Sequence, residues 1–212
     1  VVYGNHAHRL SRDLSLRASL TLAHDLPYNS FVLLGCGLLV CKNISDRVPA
    51  RLSVIDPETL RPVCADLDCP EPSIARLSTR GDTLYVVGVE SIFRYHWDRA
   101  AGRLIFDEGW RHNYVAGTQQ SYGWDVVLAE DQAWFMDNGH HRYRTSMVGA
   151  GVSATPNRLI RVSLSDSADH DAIEVSGLGG GSVTNPPVFD VSRQIVVAMD
   201  SANKLLRAWR FN

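Results

Sequence analysis

The sequence predicts an all-β protein, a β-propeller, and three observations carry that expectation. Apolar runs of four to eight residues recur along the chain, bounded by Gly, Asp, Asn, Pro and Ser. Almost nothing has helical period. The runs also fall into groups of four, with a repeat of roughly 42 residues, the length of a four-stranded blade.

The stretch 73–110 serves as the reference unit. A first strand is predicted at 73–78, a tight turn at Arg80, Gly81 and Asp82, and a buried second strand at 83–88. A third follows at 92–97 and a fourth at 103–107. The same order recurs with a hairpin at 31–41 followed by strands at 50–55 and 61–65. It recurs again at 124–128, 132–136, 158–164 and 172–175. Shorter sets stand at the two ends, so the predicted strand counts are three, four, four, four and three. This gives about 4–5 blades, with three complete four-stranded blades and partial blades at both ends, in one domain over residues 1–212. Six strands cannot share one blade. The expectation is therefore either a fragment of a larger propeller or two incomplete blades meeting edge to edge, with open edges that a strand of missing chain or of a second copy would cover. Val1 at the start, with no initiator Met, fits a chain entered in mid-strand.

An aspartate closes each third strand: Asp13, Asp56, Asp98 and Asp166, spaced by 43, 42 and 68 residues. Such residues bond their own backbone two residues on, so turn chemistry is expected of them. The longer last step holds one blade plus two insertions, near 111–122 and 139–156.

The segment from Phe93 to Trp110 resembles the repeat of pyrroloquinoline-quinone (PQQ) type propellers. It ends a strand in Asp98, turns through a Gly102-containing segment and closes on a Trp. The segment from Ser53 to Val63 is a weaker copy, with Leu60 where Gly is usual. WD40-like propellers share this superfamily shape, but Trp97-Asp98 stands at a different offset from their Trp-Asp pair. The resemblance implies the fold. The family's quinone chemistry does not carry over, since the chain has no adjacent cysteine pair and no assignable quinone-stacking Trp.

Composition narrows the function classes. The formal net charge is -2, which gives no long-range attraction to nucleic acid or an anionic membrane surface. No apolar run approaches the roughly 18 residues of a membrane-spanning helix. Cys36, Cys41, Cys64 and Cys69 are read first as buried free thiols; one or two disulfides, or a metal site, are the alternatives. Asn43-Ile44-Ser45 fits a glycosylation acceptor. The glycine-rich stretch 177–182 precedes a strand, not a helix, and reads as a connection rather than a phosphate loop.

Propeller ligands usually meet the loops that join fourth to first strands and second to third strands. Two of those loops are long here and belong to one blade region, so they are expected to lie together. They supply the candidate ligand-binding residues His112, Tyr114, Tyr122, Trp124, Asn138, His140, His141 and Arg142. Asp125 and Asp137 are the candidate catalytic carboxylates, with Asp25 a third at a strand end and Tyr28 a further sugar-stacking ring. Asn138, Asn185 and Asp200, with Asn29, are candidates for a calcium site, because a hard divalent cation prefers oxygen ligands. His112, His140 and His141 with a nearby Asp would suit zinc instead. The leading functional expectation is a binding or interaction module for a protein, small-molecule or carbohydrate ligand. The alternative is a propeller hydrolase of glycosidase or lactonase type.

Overall fold

The computed structural model describes residues 2–23, 26–45, 48–115, 120–123, 125–141, 157–175, 187–200 and 204–210, and none of them is helical. They form five antiparallel sheets in chain order. The first holds β1 (Val2–Tyr3), β2 (His6–Leu10) and β3 (Leu16–Thr21). The second holds β4 (Tyr28–Leu33), β5 (Leu39–Asn43), β6 (Arg51–Asp56), β7 (Arg61–Pro62) and β8 (Leu67–Asp68). The third is β9 (Ser78–Arg80), β10 (Thr83–Val87), β11 (Ser91–Asp98) and β12 (Arg103–Asn113). The fourth is β13 (Gln120–Gly123), β14 (Val127–Ala129), β15 (Gln132–His141), β16 (Arg158–Ser163) and β17 (His170–Glu174). The fifth is β18 (Val188–Asp190), β19 (Ile195–Asp200) and β20 (Leu205–Arg210). Three full blades flanked by two three-stranded sheets is the predicted all-β propeller arrangement.

The second and third strands of each full blade carry apolar side chains on both faces, as a sheet covered on both sides requires. Four apolar cores lie between successive sheets. Ala7, Tyr28 and Ile55 join the first to the second. Leu52, Val54, Leu84 and Phe93 join the second to the third. Tyr85, Trp110, Phe135 and Ile160 join the third to the fourth, and Met136, Leu159 and Val196 the fourth to the fifth. Trp110, 2% exposed, meets Tyr85 edge-on at 5.4 Å. Its indole N–H donates across the interface to Ser163 O at 3.0 Å. The fifth sheet exposes Val188 and Leu206 on the strand face opposite Phe189 and Trp209, which pack toward the fourth.

The turn aspartates do what their spacing predicts. Asp13 Oδ1 accepts from Ser15 N, Asp56 Oδ1 from Glu58 N, Asp98 Oδ1 from Ala100 N and Asp166 Oδ1 from Ala168 N. All four cysteines are free thiols, with Cys41 and Cys69 buried. Burial pushes the thiols of Cys41 and Cys69 up to about 12.

Strand limits differ from the sequence expectation in three places. β9 starts at Ser78, not at 73, because side chains of the neighbouring sheet take the backbone groups of the segment before it. Asn29 Nδ2 donates to Ile74 O, Ser30 Oγ accepts from Leu77 N, and Lys42 Nζ donates to Ser73 O, which also takes the Ser45 backbone N–H. The fourth strand of the second sheet breaks into β7 and β8, which pair with opposite ends of β6; past Pro62 the Val63 N–H still donates to Val54 O at 2.9 Å, and the strand leaves the ladder after it. β12 and β15 run well past their predicted ends, so residues 111–113 and 137–141 are strand rather than loop.

The inner hairpins show where conformational strain sits. At the β9–β10 turn Gly81 has φ +60°, and its carbonyl accepts from Gly35 N at 2.7 Å in the adjacent hairpin. The equivalent turn between β14 and β15 puts Glu130 in the same left-handed region, at φ 51°. Its carbonyl accepts from Arg80 Nη1, a contact that survives loss of the side chain. Left-handed backbone costs an L-residue about 1–2 kcal/mol, partly offset by the entropy glycine loses on folding. Glu130→Gly should therefore raise the unfolding free energy by about 0.5–1 kcal/mol in a urea titration; a loss of stability would show that the Glu130 side chain matters.

Candidate functional site

First strands begin, and second strands end, on the same rim of the sheets. That rim gathers β4 with Asn29, the end of β5 with Lys42, the segment before β9 with Arg76, and Asp125 just ahead of β14. The inner strands β1, β4, β9 and β14 are neighbours in that order. β13 pairs with the far end of β15, Gln120 opposite His141 and Ser121 opposite His140. The described parts of the two connections, 120–123 and 137–141, thus pair as one β-ribbon on the rim.

Asp125 is the residue of interest. Its side chain is 26% exposed, and among the described residues it is paired with the Arg76 guanidinium, with Nε at 3.7 Å from Oδ1. Oδ1 is buried and accepts no hydrogen bond. Burial pushes its carboxyl above the usual range, and the exposed Arg76 guanidinium, with a backbone hydrogen bond from Arg76, opposes this only in part. A buried acceptor without a donor costs roughly 1–3 kcal/mol, so the site favours whatever brings it a proton.

Asp137 sits differently. It is fully buried on β15, and Arg158 on the adjoining β16 holds it from Nε at 2.9 Å and Nη2 at 2.5 Å. Arg158 also donates to Tyr114 O at 2.7 Å, tying the third sheet to the fourth. Tyr114, 5% exposed, donates its hydroxyl to Gly88 O. Both residues are therefore built into the interface between blades.

His112 points into the same interface. Its ring stands 3.9 Å from that of His170 on β17. Burial lowers its pKa first, then the adjacent His170 and Arg158, to about 4. Of the remaining expected ligand residues, Tyr122 lies on β13, and Asn138, His140 and His141 on β15, by backbone position; their side chains fall outside the described residues. Trp124, Arg142, Asn185 and Asp25 lie outside them entirely, and Asp200 ends β19 with its side chain undescribed. Tyr28 is buried, with its hydroxyl 2.8 Å from Ser53 Oγ. Asn29 is taken up by Ile74 O and by Lys42, whose Nζ donates to Asn29 Oδ1 at 3.3 Å. Among the described residues, no group of three or more His, Cys, Asp or Glu side chains is placed to hold a metal ion.

Two charged residues at the rim escape the sequence reading. Lys42 is fully buried at the end of β5, where its ammonium also donates to Asn43 O and Ser73 O at 3.0 and 3.1 Å. Burial lowers its pKa to about 7. The only signal was a charge at the end of the apolar run 38–41. Glu71, between Pro70 and Pro72, accepts from Glu90 N at 2.6 Å, from Arg111 Nη2 at 3.2 Å and from the Ser91 hydroxyl. It fills the space beside Gly88, where a Cβ would come within 2.4 Å of its carboxyl carbon. Burial raises its pKa.

His112 yields a test with a defined sign. Its proton affinity is lowered on folding, so its stabilising contribution is whole above about 6.5 and is lost as pH falls toward about 4. Discounted for partial exposure, that contribution is about 1–2 kcal/mol. The raised carboxyls of Glu71 and Asp125 act with the opposite sign but cancel between two proteins that share them. On acidification from pH 7 to 4, His112→Phe should therefore gain about 1–2 kcal/mol relative to wild type in denaturant titrations; equal pH slopes would detach His112 from the acid response.

No family model matches the sequence, and no curated protein matches it. Solved structures do resemble it. A virginiamycin B lyase from Staphylococcus aureus superposes with a TM-score of 0.56 at 11% identity, over 99% of this chain and 64% of that one. A streptogramin B lyase gives 0.48 at 8% identity, over 99% and 77%, and apo AztD from Citrobacter koseri 0.47 at 12%, over 92% and 50%. The chain thus spans just under two thirds of the length of the Staphylococcus lyase. At these identities the likeness concerns the fold alone, and it agrees with the five-sheet architecture in making the chain a β-propeller.

Proposed function

We propose that this propeller is a binding module whose rim, around Asp125 and Arg76 and beside the β13–β15 ribbon, receives a polar ligand. The observation that carries the reading is the Asp125 Oδ1 atom, buried, without a donor, and next to a guanidinium that is 60% exposed. An acceptor and a donor side by side suit a ligand with the converse pair, such as neighbouring hydroxyls of a carbohydrate or the amide of a peptide. The ribbon backbone adds an edge at the same place.

The hydrolase alternative has one observation in its favour: a carboxyl raised by burial is suited to donate a proton. It requires a second acid–base partner, and Asp137 is engaged by Arg158.

Thermal-shift measurements against a panel of oligosaccharides and short peptides test both readings. A ligand at about 100 times its Kd stabilises by about 2.7 kcal/mol, which is roughly 5–10 °C for a chain of this size. The expected result is a shift that disappears in Asp125→Asn and in Arg76→Ala. A panel compound hydrolysed by wild type but not by Asp125→Asn would favour the hydrolase. Shifts that persist in both variants would remove the site.

A further inference from the structure

The fifth sheet has an apolar face that the first sheet, at the other end of the chain, does not match. Phe189, Val196 and Trp209, side by side across β18, β19 and β20, turn to the fourth sheet. Their neighbours along each strand turn the other way. Val188, Val197 and Ala208 form one row of that outer face, and Asp190, Ile195 and Arg210 the next. Val188 is 69% exposed, and Leu206, on the same face of β20, is 78% exposed.

This face repeats an interface found between the earlier blades. The third residue of the second strand is Tyr85 in β10, Trp134 in β15 and Val197 in β19. Tyr85 and Trp134 each pack on the sheet that follows. Val197 holds the same position with no following sheet among the described residues. An apolar sheet face left to water favours whatever covers it.

Two contrasts say what fits. The outer face of the first sheet is polar. His6 and His8 on β2 stand opposite Thr21 and Ser19 on β3, while Ala7, Ala18 and Leu20 take the core side. A head-to-tail contact between copies would therefore bury Val188 and Leu206 against imidazoles and hydroxyls, at the cost of their hydration. The fifth-sheet face is instead complementary to itself. Asp190 and Arg210 share a row on the two strands that flank β19, about 10 Å apart and too far to pair within one copy. A two-fold axis along β19 lays β18 of each copy over β20 of the other. Asp190 then meets the partner's Arg210, Arg210 meets the partner's Asp190, and Val197 packs on the partner's Val197, the reciprocal pattern of an isologous contact. Asp190 Oδ2 takes Arg193 Nη1 at 2.9 Å, and a carboxylate oxygen has room for a second donor.

We propose that the outer face of the fifth sheet is a self-association surface, packed on the same face of a second copy about that two-fold axis. Sheet geometry makes the face roughly 14 by 20 Å, smaller than the about 800 Å² that a stable dimer buries on each partner. The association is therefore weak and concentration-dependent.

Sedimentation velocity of the full chain from about 10 to about 500 μM tests this. Wild type should shift reversibly from monomer toward dimer across that range. Leu206→Glu, Arg210→Glu and Asp190→Lys should each stay monomeric, with folding checked by circular dichroism. Leu14→Glu, at an exposed turn of the first sheet, should behave as wild type. An equimolar mixture of the Arg210→Glu and Asp190→Lys proteins should recover the dimer, because each charge then meets its opposite. A monomer at every concentration would overturn the proposal. So would association that survives Leu206→Glu or Arg210→Glu, or that is lost equally in Leu14→Glu.

Discussion

Everything in this chain depends on sheets that must be covered on both faces. A strand such as β10, with Leu84 and Val86 turned to one neighbour and Tyr85 and Val87 to the other, cannot be stable in a two-layer arrangement with one wet side. Each sheet therefore needs a sheet before it and a sheet after it. Packing about a common axis meets that need without any helix, and it makes the interface between blades the main store of stability. Trp110 shows how closely the interfaces are matched: its ring fills the gap between the third and fourth sheets, and its N–H finds a carbonyl of the next blade.

The same arrangement explains the charged groups buried at the rim. Where a first strand begins beside the end of a second strand, backbone groups of two blades are exposed to each other without a shared ladder. Lys42, Glu71 and Arg158 supply the missing partners, each bridging segments that a sheet would otherwise have paired. Burial lowers the proton affinity of Lys42 and raises that of Glu71, as desolvation requires of an amine and a carboxylic acid. Asp125 stands apart from these. Its guanidinium neighbour is more than half exposed and too distant for a hydrogen bond, so one oxygen is left over. That difference separates a structural carboxylate from one suited to a ligand.

The architecture was legible because its signals are local. Runs such as 83–88 declare a buried strand by themselves, and Asp56 and Asp98 mark the same turn in successive blades. Strand limits were less so. The start of β9 depends on Asn29 and Ser30, some 45 residues away, and no local pattern reveals such a partner. The site was legible in kind only. Asp125 and Asp137 look alike in the sequence, each beside the end of an apolar strand, and only the arginine across β16 tells them apart. Lys42 was hidden because it closes a run of apolar residues, and Glu71 because nothing about a glutamate between two prolines points to the pocket beside Gly88.

The four cores have one further consequence. Each joins only sheets that are consecutive in the chain, so the described residues form a linear stack of units, each held by its nearest neighbours. In such a stack cooperativity is passed along from interface to interface rather than shared by the whole. The third sheet, held through Phe93 on one side and Trp110 on the other, should be the last to exchange its amide hydrogens. The first and fifth sheets, each described with a single apolar interface, should open earlier, giving the molecule a gradient of local stability that falls from the centre of its sequence toward both ends.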